Sequence, residues 1–461
     1  MSDVRGAILP PTPGRSRLAI AAAACVVLPL EGVLIAMRPV FGAAVAGLVI
    51  IVVGFTQVRT QSYRRVWLAT VVLLAALSDL PRRIDIGEFS TLGFLTLALA
   101  FLSLPIWLGA LSSRVVPRAW ALLVLWVVGT LLINPPATAG VQNVSVLALF
   151  LIAIITAASV TRSDGNTDYI DRLMSIGSGT AVVLYGASVA VGGLETNLIF
   201  EPRAFALFAL VALAWSLPFV RYRRRRIVRS AGLLLLIVLS LSRTAFVVAL
   251  LISGLNGLKP RTLVGWLKSL GAVALALGSI YLSIQTIQPL HNRFFEGDVV
   301  AVRDSSLDVN VMGRAGVWEA TWDSALQAPI LGNGPGSSEA VSGAATNGEV
   351  TQPHNEYLRL FNDYGLIGLS LWLIGYLGIL RGATLRSFGR RRAPLVERHA
   401  HLGAALGLVA VGLAALTDNP FVYSFVVVPL GVLVGSSLGL ASRGGVTSTR
   451  FRPRQAASIR S

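Results

Sequence analysis

The sequence predicts an all-α, polytopic membrane protein with 12–14 transmembrane helices and one long extracytoplasmic loop. Three observations carry this prediction. The chain of 461 residues is 54% hydrophobic and only 13% charged, where a soluble domain carries about 25% charged residues. Its apolar residues gather into repeated blocks close to the about 20 residues that a helix needs to cross a hydrocarbon core of ~30 Å. Its basic residues fall on alternate connections between those blocks, as the Lys/Arg excess of cytoplasmic loops requires.

The blocks begin at 18–37, after Arg15 and Arg17. That run is long enough to span, so it reads as a signal-anchor helix rather than a cleaved signal peptide. Further blocks follow at 40–58, 66–80, 92–111, 119–133, 141–160, 173–192 and 203–220. The segment 230–241 is short and reads as a re-entrant or shortened helix, and 244–258 and 264–287 complete the N-terminal part. Residues 288–355 then form a long polar connection, followed by apolar blocks at 356–380, 401–417 and 421–440. The chain thus divides into N-terminal membrane helices (1–287, about 11 apolar segments), an extracytoplasmic catalytic loop (288–355), C-terminal membrane helices (356–440) and a basic cytoplasmic tail (441–461). A loop this long inside a compact fold is usually functional.

Charge fixes the expected orientation. With the N-terminus inside, 30 basic residues face the cytoplasm and 9 face the other side. Five acids lie inside, Glu31 lies within the first block, and sixteen lie outside or near the outer face. Both termini are therefore expected in the cytoplasm. A net charge of +17 in a soluble protein would suggest nucleic acid as a partner. Here it is an arginine-rich inner surface opposed by an acidic outer one, and no nucleic-acid partner is expected. The six arginines within 221–229 read as an anchor on anionic lipid. Of the 39 basic residues 37 are arginine, which points to a GC-rich bacterial genome. Cys25 is the only cysteine and cannot form an intramolecular disulfide. No Cys/His cluster is present, so neither a metal nor another cofactor is expected.

The outer loop holds Gly313-Arg314-Ala315-Gly316-Val317-Trp318 and then Pro329-Ile330-Leu331-Gly332-Asn333-Gly334-Pro335-Gly336. It ends in Pro353-His354-Asn355-Glu356-Tyr357-Leu358, and Tyr364-Gly365-Leu366-Ile367-Gly368-Leu369 leads into an apolar helix. Upstream, Ser242-Arg243-Thr244 separates two apolar segments. In these motifs and their order the sequence resembles the O-antigen ligase and polymerase superfamily, over roughly 242–372. The resemblance implies a GT-C-like membrane fold and a metal-independent inverting glycosyltransferase acting outside the bacterial cytoplasmic membrane. Its donor would be an oligo- or polysaccharide on a polyprenyl diphosphate, usually undecaprenyl diphosphate, and its acceptor a glycan or glycolipid. The functional positions carried over are Arg243, Arg314 and His354. Arg203, in Glu201-Pro202-Arg203-Ala204-Phe205, lacks the continuation that relatives often carry.

The residues themselves point to the same chemistry. Attack of a sugar hydroxyl on an anomeric carbon needs a base, and an imidazole, whose ordinary titration lies near ~6.5, can be neutral at working pH. The departing diphosphate needs cations, and guanidinium groups bind phosphate oxygens through paired charge-assisted bonds. Diphosphate binding is therefore expected at the arginines of the acidic outer side. Asn355 and Glu356 can orient His354 or contact sugar, and Trp318 can stack on a sugar ring. Plainer readings stand beside these: Asn355 as a helix cap, Arg243 reaching the interface from a hairpin tip, Arg314 paired with Glu319, and Trp318 with Trp322 packing an amphipathic helix on the membrane. The Gly332–Gly336 turn lacks the Lys-Ser/Thr of a nucleotide loop.

Two rival functions remain at this level. A transporter or flippase of lipid-linked oligosaccharide predicts ionisable groups near the bilayer midplane, where only Glu31 is found. A peptidoglycan-type polymerase shares the chemistry. Ligase and polymerase differ in acceptor and are not separated by the sequence.

Overall fold

The computed structural model describes residues 61–76, 85–86, 89–90, 99, 102–103, 106, 116–134, 138–164, 167–193, 201–219, 223–257, scattered positions from 271 to 286, 312–348, 350–389 and 395–450. Over these the chain is built of helices, with one two-residue antiparallel pairing of Asp85–Ile86 and Phe89–Ser90. The helices are α1 (Gln61–Ala76), α2 (Arg118–Ile133), α3 (Thr138–Asp164), α4 (Asp168–Gly192), α5 (Pro202–Phe219), α6 (Arg223–Leu239) and α7 (Arg243–Gly257). In the long loop lie α8 (Met312–Gln327) and α9 (Ser337–Ala345), followed by α10 (Glu356–Gly389), α11 (Leu395–Ala414), a single 3-10 turn (Pro420–Val422) and α12 (Ser424–Arg450).

Four of these are long and apolar enough to cross a membrane: Ala139–Asp164, Asp168–Gly192, Glu356–Phe388 and Ser424–Arg443. The shorter apolar helices Arg118–Ile133, Pro202–Pro218, Ile227–Leu239 and Arg243–Asn256 accompany them. The protein is thus an all-α polytopic membrane protein. The predicted blocks 18–37 and 40–58, with most of 92–111 and 264–287, lie outside the described residues.

Packing follows composition. From Ala204 to Leu217 every side chain of α5 is buried, as expected of a helix that is apolar all round, and α5 packs against α11, α6, α7 and α12. Helices α3 and α12 pack in close contact. Gly431, Gly435 and Gly439 repeat every four residues and present backbone to α3. A Cβ on Gly431 would stand 2.8 Å from Ala153 Cβ, one on Gly439 2.5 Å from Ala158 O, and one on Gly435 would overlap Ile154 O. Small residues spaced by four let membrane helices approach closely where no hydrophobic force separates helix from lipid. Gly435→Leu is therefore expected to cost about 3 kcal/mol, read as a lower melting temperature in detergent. Gly186→Leu is the control, because nothing lies within 4 Å of a Cβ there.

The α2–α10 contact is fixed by two indoles. Trp120 donates to Trp372 O at 3.0 Å and Trp126 to Tyr364 O at 2.9 Å. The second bond serves a carbonyl at a break in α10, where Gly365 takes φ 66° and ψ −172°. Trp120, Phe150, Trp372, Tyr376 and Phe421 form one aromatic cluster beside it.

Three elements differ from the sequence reading. The segment at 230–241 lies in a short apolar helix, as the shortened-helix reading has it, but that helix begins earlier, at Arg223, and ends at Leu239, so Arg223–Arg229 are helical. The block at 356–380 is two helical pieces joined at Gly365 and reaching Gly389. The last helix runs past 440 to Arg450, into the predicted tail.

Candidate functional site

The two glycine-rich motifs interlock. The turn after α8 lies along the break in α10: Asn333 N donates to Asn362 O (2.8 Å), Gly334 N to Asp363 O (3.0 Å) and Leu366 N to Pro329 O (2.8 Å). Gly332 (φ 81°) and Gly365 (φ 66°) make this approach possible. A Cβ on Gly332 would stand 2.5 Å from Asp363 O, and one on Gly365 would overlap Ile330 O. Both also occupy backbone space that side chains rarely enter. The glycine-rich turn is therefore a backbone clasp holding α8 and α9 onto α10.

Beneath the clasp lies a buried ionic cluster. Arg359, 3% exposed, donates to Glu356 Oε1 through Nη2 (2.5 Å) and Nε (3.1 Å), and to Asp363 Oδ2 through Nη1 (3.2 Å). Asp363 in turn accepts from Gly336 N (3.2 Å), Ser338 N (2.9 Å) and Ser337 Oγ (3.0 Å). Those donors sit at the first turn of α9, where a carboxylate satisfies N–H groups that no helical carbonyl reaches. Glu339 accepts from Asn143 Nδ2 (2.8 Å) and Gln352 Nε2 (2.6 Å). Burial pushes the Glu339 carboxyl up from its ordinary value, against those two amide donors.

On this platform His354, Arg314 and Arg203 converge on the connection between α11 and α12, and the turn that carries Arg243 docks beside them. His354 Nδ1 stands 3.6 Å from Asp418 Oδ1, an ion-pair contact longer than a hydrogen bond, and it has no hydrogen-bond partner among the described residues. Arg314 Nη1 donates to Thr417 O at 2.7 Å. The Ser242-Arg243-Thr244 turn docks on the same residue, with Thr244 Oγ1 and Thr417 Oγ1 2.8 Å apart. Arg203, at the start of α5, is near enough for its charge to act on Asp418. Burial alone would raise the Asp418 carboxyl, but His354, Arg203 and the Asn419 N–H together hold it below the usual carboxylate range. Two strained residues frame the group: His354 at φ 50° and Leu241, just before Ser242, at φ 55°. Non-glycine residues in this region cost of order 1 kcal/mol each and cluster at functional sites.

The remaining sequence-predicted residues hold this assembly in place. Trp318 donates through Nε1 to Pro353 O at 2.6 Å, which fixes the carbonyl just before His354. Asn355 Oδ1 accepts from Leu358 N at 3.1 Å, the geometry of a helix cap. Glu356 is fully buried, bound to Arg359 and, at 3.2 Å, to Asn419 Nδ2. Beside them a cavity of about 480 Å³ is lined by Trp318, Trp322, Asn355, Tyr357, Leu358 and Phe361. Arg359 does not fit the expectation that every outer arginine is open to diphosphate, because its donors are committed to two carboxylates and it is sealed from solvent. Asp418, Asn419 and Asp363 are the site residues that sequence reasoning missed. Among the described residues no group of three His, Cys, Asp or Glu side chains could hold a metal ion.

Fold and site together define a polytopic membrane protein that gathers arginines and a histidine at one end of its helices. Residues 230–373 match the family model described as O-Antigen ligase, in agreement with the resemblance read from the motifs. The match spans α6 to the middle of α10 and supports a membrane glycan-processing enzyme. No curated protein matches the chain.

Proposed function

We propose that the protein transfers an oligo- or polysaccharide from a polyprenyl-diphosphate donor to a hydroxyl of a glycan acceptor, with inversion at the anomeric carbon and without a metal. The observation that carries this reading is the convergence of His354, Arg314, Arg203 and the Arg243 turn on Thr417-Asp418. The acceptor oxygen forms its bond to the anomeric carbon as the carbon–oxygen bond to diphosphate breaks. The hydroxyl proton passes to His354 Nε2, since Nδ1 faces Asp418, and the Asp418 carboxylate stabilises the imidazolium that results. Arg243, Arg314 and Arg203 take up the charge on the departing diphosphate. Trp318, Asn355 and Glu356 hold the His354 loop in register, and the aromatic cavity beside Asn355 is available to the sugar or lipid part of a substrate.

The sorting of basic residues, 30 against 9, supports a reading with this end on the outer face of the cytoplasmic membrane and both termini inside. The enzyme reading is favoured over a transporter because the polar groups meet at helix ends. The test is transfer by the purified protein from a polyprenyl-diphosphate-linked glycan. Transfer with inversion is expected, with the polyprenyl-monophosphate analogue a poor donor because it offers the arginines fewer oxygens. A ladder of repeats indicates a polymerase and a single addition a ligase. Retention of anomeric configuration, or equal use of both donors, would sink the proposal.

A further inference from the structure

The end of the bundle opposite His354 carries a second set of polar groups that the proposed reaction does not use. Arg64 is half-buried in the first turn of α1, with Gln61 three residues before it and Trp67 three residues after it on adjoining lines of the helix. Arg64 Nη1 donates to Ser159 Oγ on α3. Its Nε is buried and, among the described residues, has no hydrogen-bond partner, and the same holds for Gln61 Nε2 and Trp67 Nε1. Trp67 is 4% exposed. Arg64 has no acidic partner among the described residues, whereas its neighbour Arg65 pairs with Asp164 at 2.6 Å. A half-buried guanidinium that meets no counter-ion among the described residues, flanked by two buried N–H donors that meet no acceptor among them, is costly as it stands. An anion with several acceptor oxygens would satisfy all three.

We propose that Gln61, Arg64 and Trp67 of α1, with Ser159 of α3, form a binding site for a phosphate-bearing anion at the arginine-rich end of the bundle. A phosphate group matches the site in charge, and its oxygens offer one acceptor to each free donor while Arg64 engages it through Nε. Both an anionic phospholipid headgroup and free phosphate carry this chemistry. The location at a helix end next to the charged Arg65–Asp164 pair suits either source.

The full-length protein, purified in detergent and stripped of lipid, tests the site by native mass spectrometry and melting temperature. Its arms are titration with phosphatidylglycerol, with phosphatidylcholine and with inorganic phosphate. Retention and stabilisation by phosphatidylglycerol alone identify a lipid headgroup, and stabilisation by inorganic phosphate identifies the free ion. In either case Arg64→Ala is expected to weaken the effect about tenfold or more. The exposed Arg118, at the first residue of α2, supplies the control Arg118→Ala, which should leave it intact. Should Arg64→Ala not accumulate, Gln61→Leu and Arg64→Lys carry the comparison, each removing a donor while retaining the positive charge at 64. No stabilisation by either anion, equal effects of phosphatidylcholine and phosphatidylglycerol, or equal losses in the Arg64 and Arg118 variants would overturn the proposal.

Discussion

Arg359→Ala is expected to destabilise the protein by about 3–5 kcal/mol, the largest effect of any single replacement considered. Glu356 is fully buried and Asp363 is 0% exposed, and Arg359 is the cation that both contact. Removing it leaves two carboxylates of like charge within one sealed cluster. Asp363 also holds the first turn of α9, and Glu356 holds Asn419. The damage should therefore spread to the loop that carries Asp418. Arg359→Lys keeps a charge but cannot reach two carboxylates through a planar fork, so an intermediate loss is expected. Thermal unfolding in detergent measures the series. A melting temperature of Arg359→Ala within a degree or two of wild type would show that the cluster contributes little.

How much of this was legible in the sequence depends on the range of the interaction concerned. The start of α10 was readable, because Pro353 and Asn355 mark a helix entry through local chemistry. The pairing of Arg359 with Glu356 and Asp363 was readable in principle, since spacings of three and four place side chains on one helix face. Arg359 was instead grouped with the outer-face arginines by charge alone. The break at Gly365 was hidden because the polar-spaced turns before it and the apolar residues after it are each compatible with one continuous helix. Only the docking of the Pro329–Gly336 turn, which is far away in sequence, requires it. The glycines at 431, 435 and 439 have a readable period, yet they stand among 45 glycines, and nothing local says which of those face another helix. Asp418 lies in a short polar break between apolar blocks. Its meaning comes from His354, Arg203 and Arg314 arriving at Thr417-Asp418 from three other elements, which no spacing along the chain discloses.

Loss of catalysis without loss of fold is expected for His354. Replacing a positioned general base costs about 10²–10⁴-fold in rate, so His354→Ala should lower transfer from a lipid-linked donor by that factor. A loss of this size can also come from misfolding, and the backbone offers a way to separate the two. His354 holds φ 50°, a conformation that costs a side-chain-bearing residue roughly 1 kcal/mol and glycine much less. His354→Gly should thus be about 1 kcal/mol more stable than His354→Ala while being no more active. Asp418→Asn keeps shape and removes the charge 3.6 Å from His354 Nδ1, so its turnover should fall between wild type and His354→Ala. Because its folded-state pKa is depressed, Asp418 contributes stability above its unfolded value near ~3.9, and that contribution is lost as pH falls through the lowered folded value. It is a carboxylate throughout the neutral range. A stabilised His354→Gly that retains wild-type turnover would remove His354 from the chemistry and leave the strained backbone unexplained.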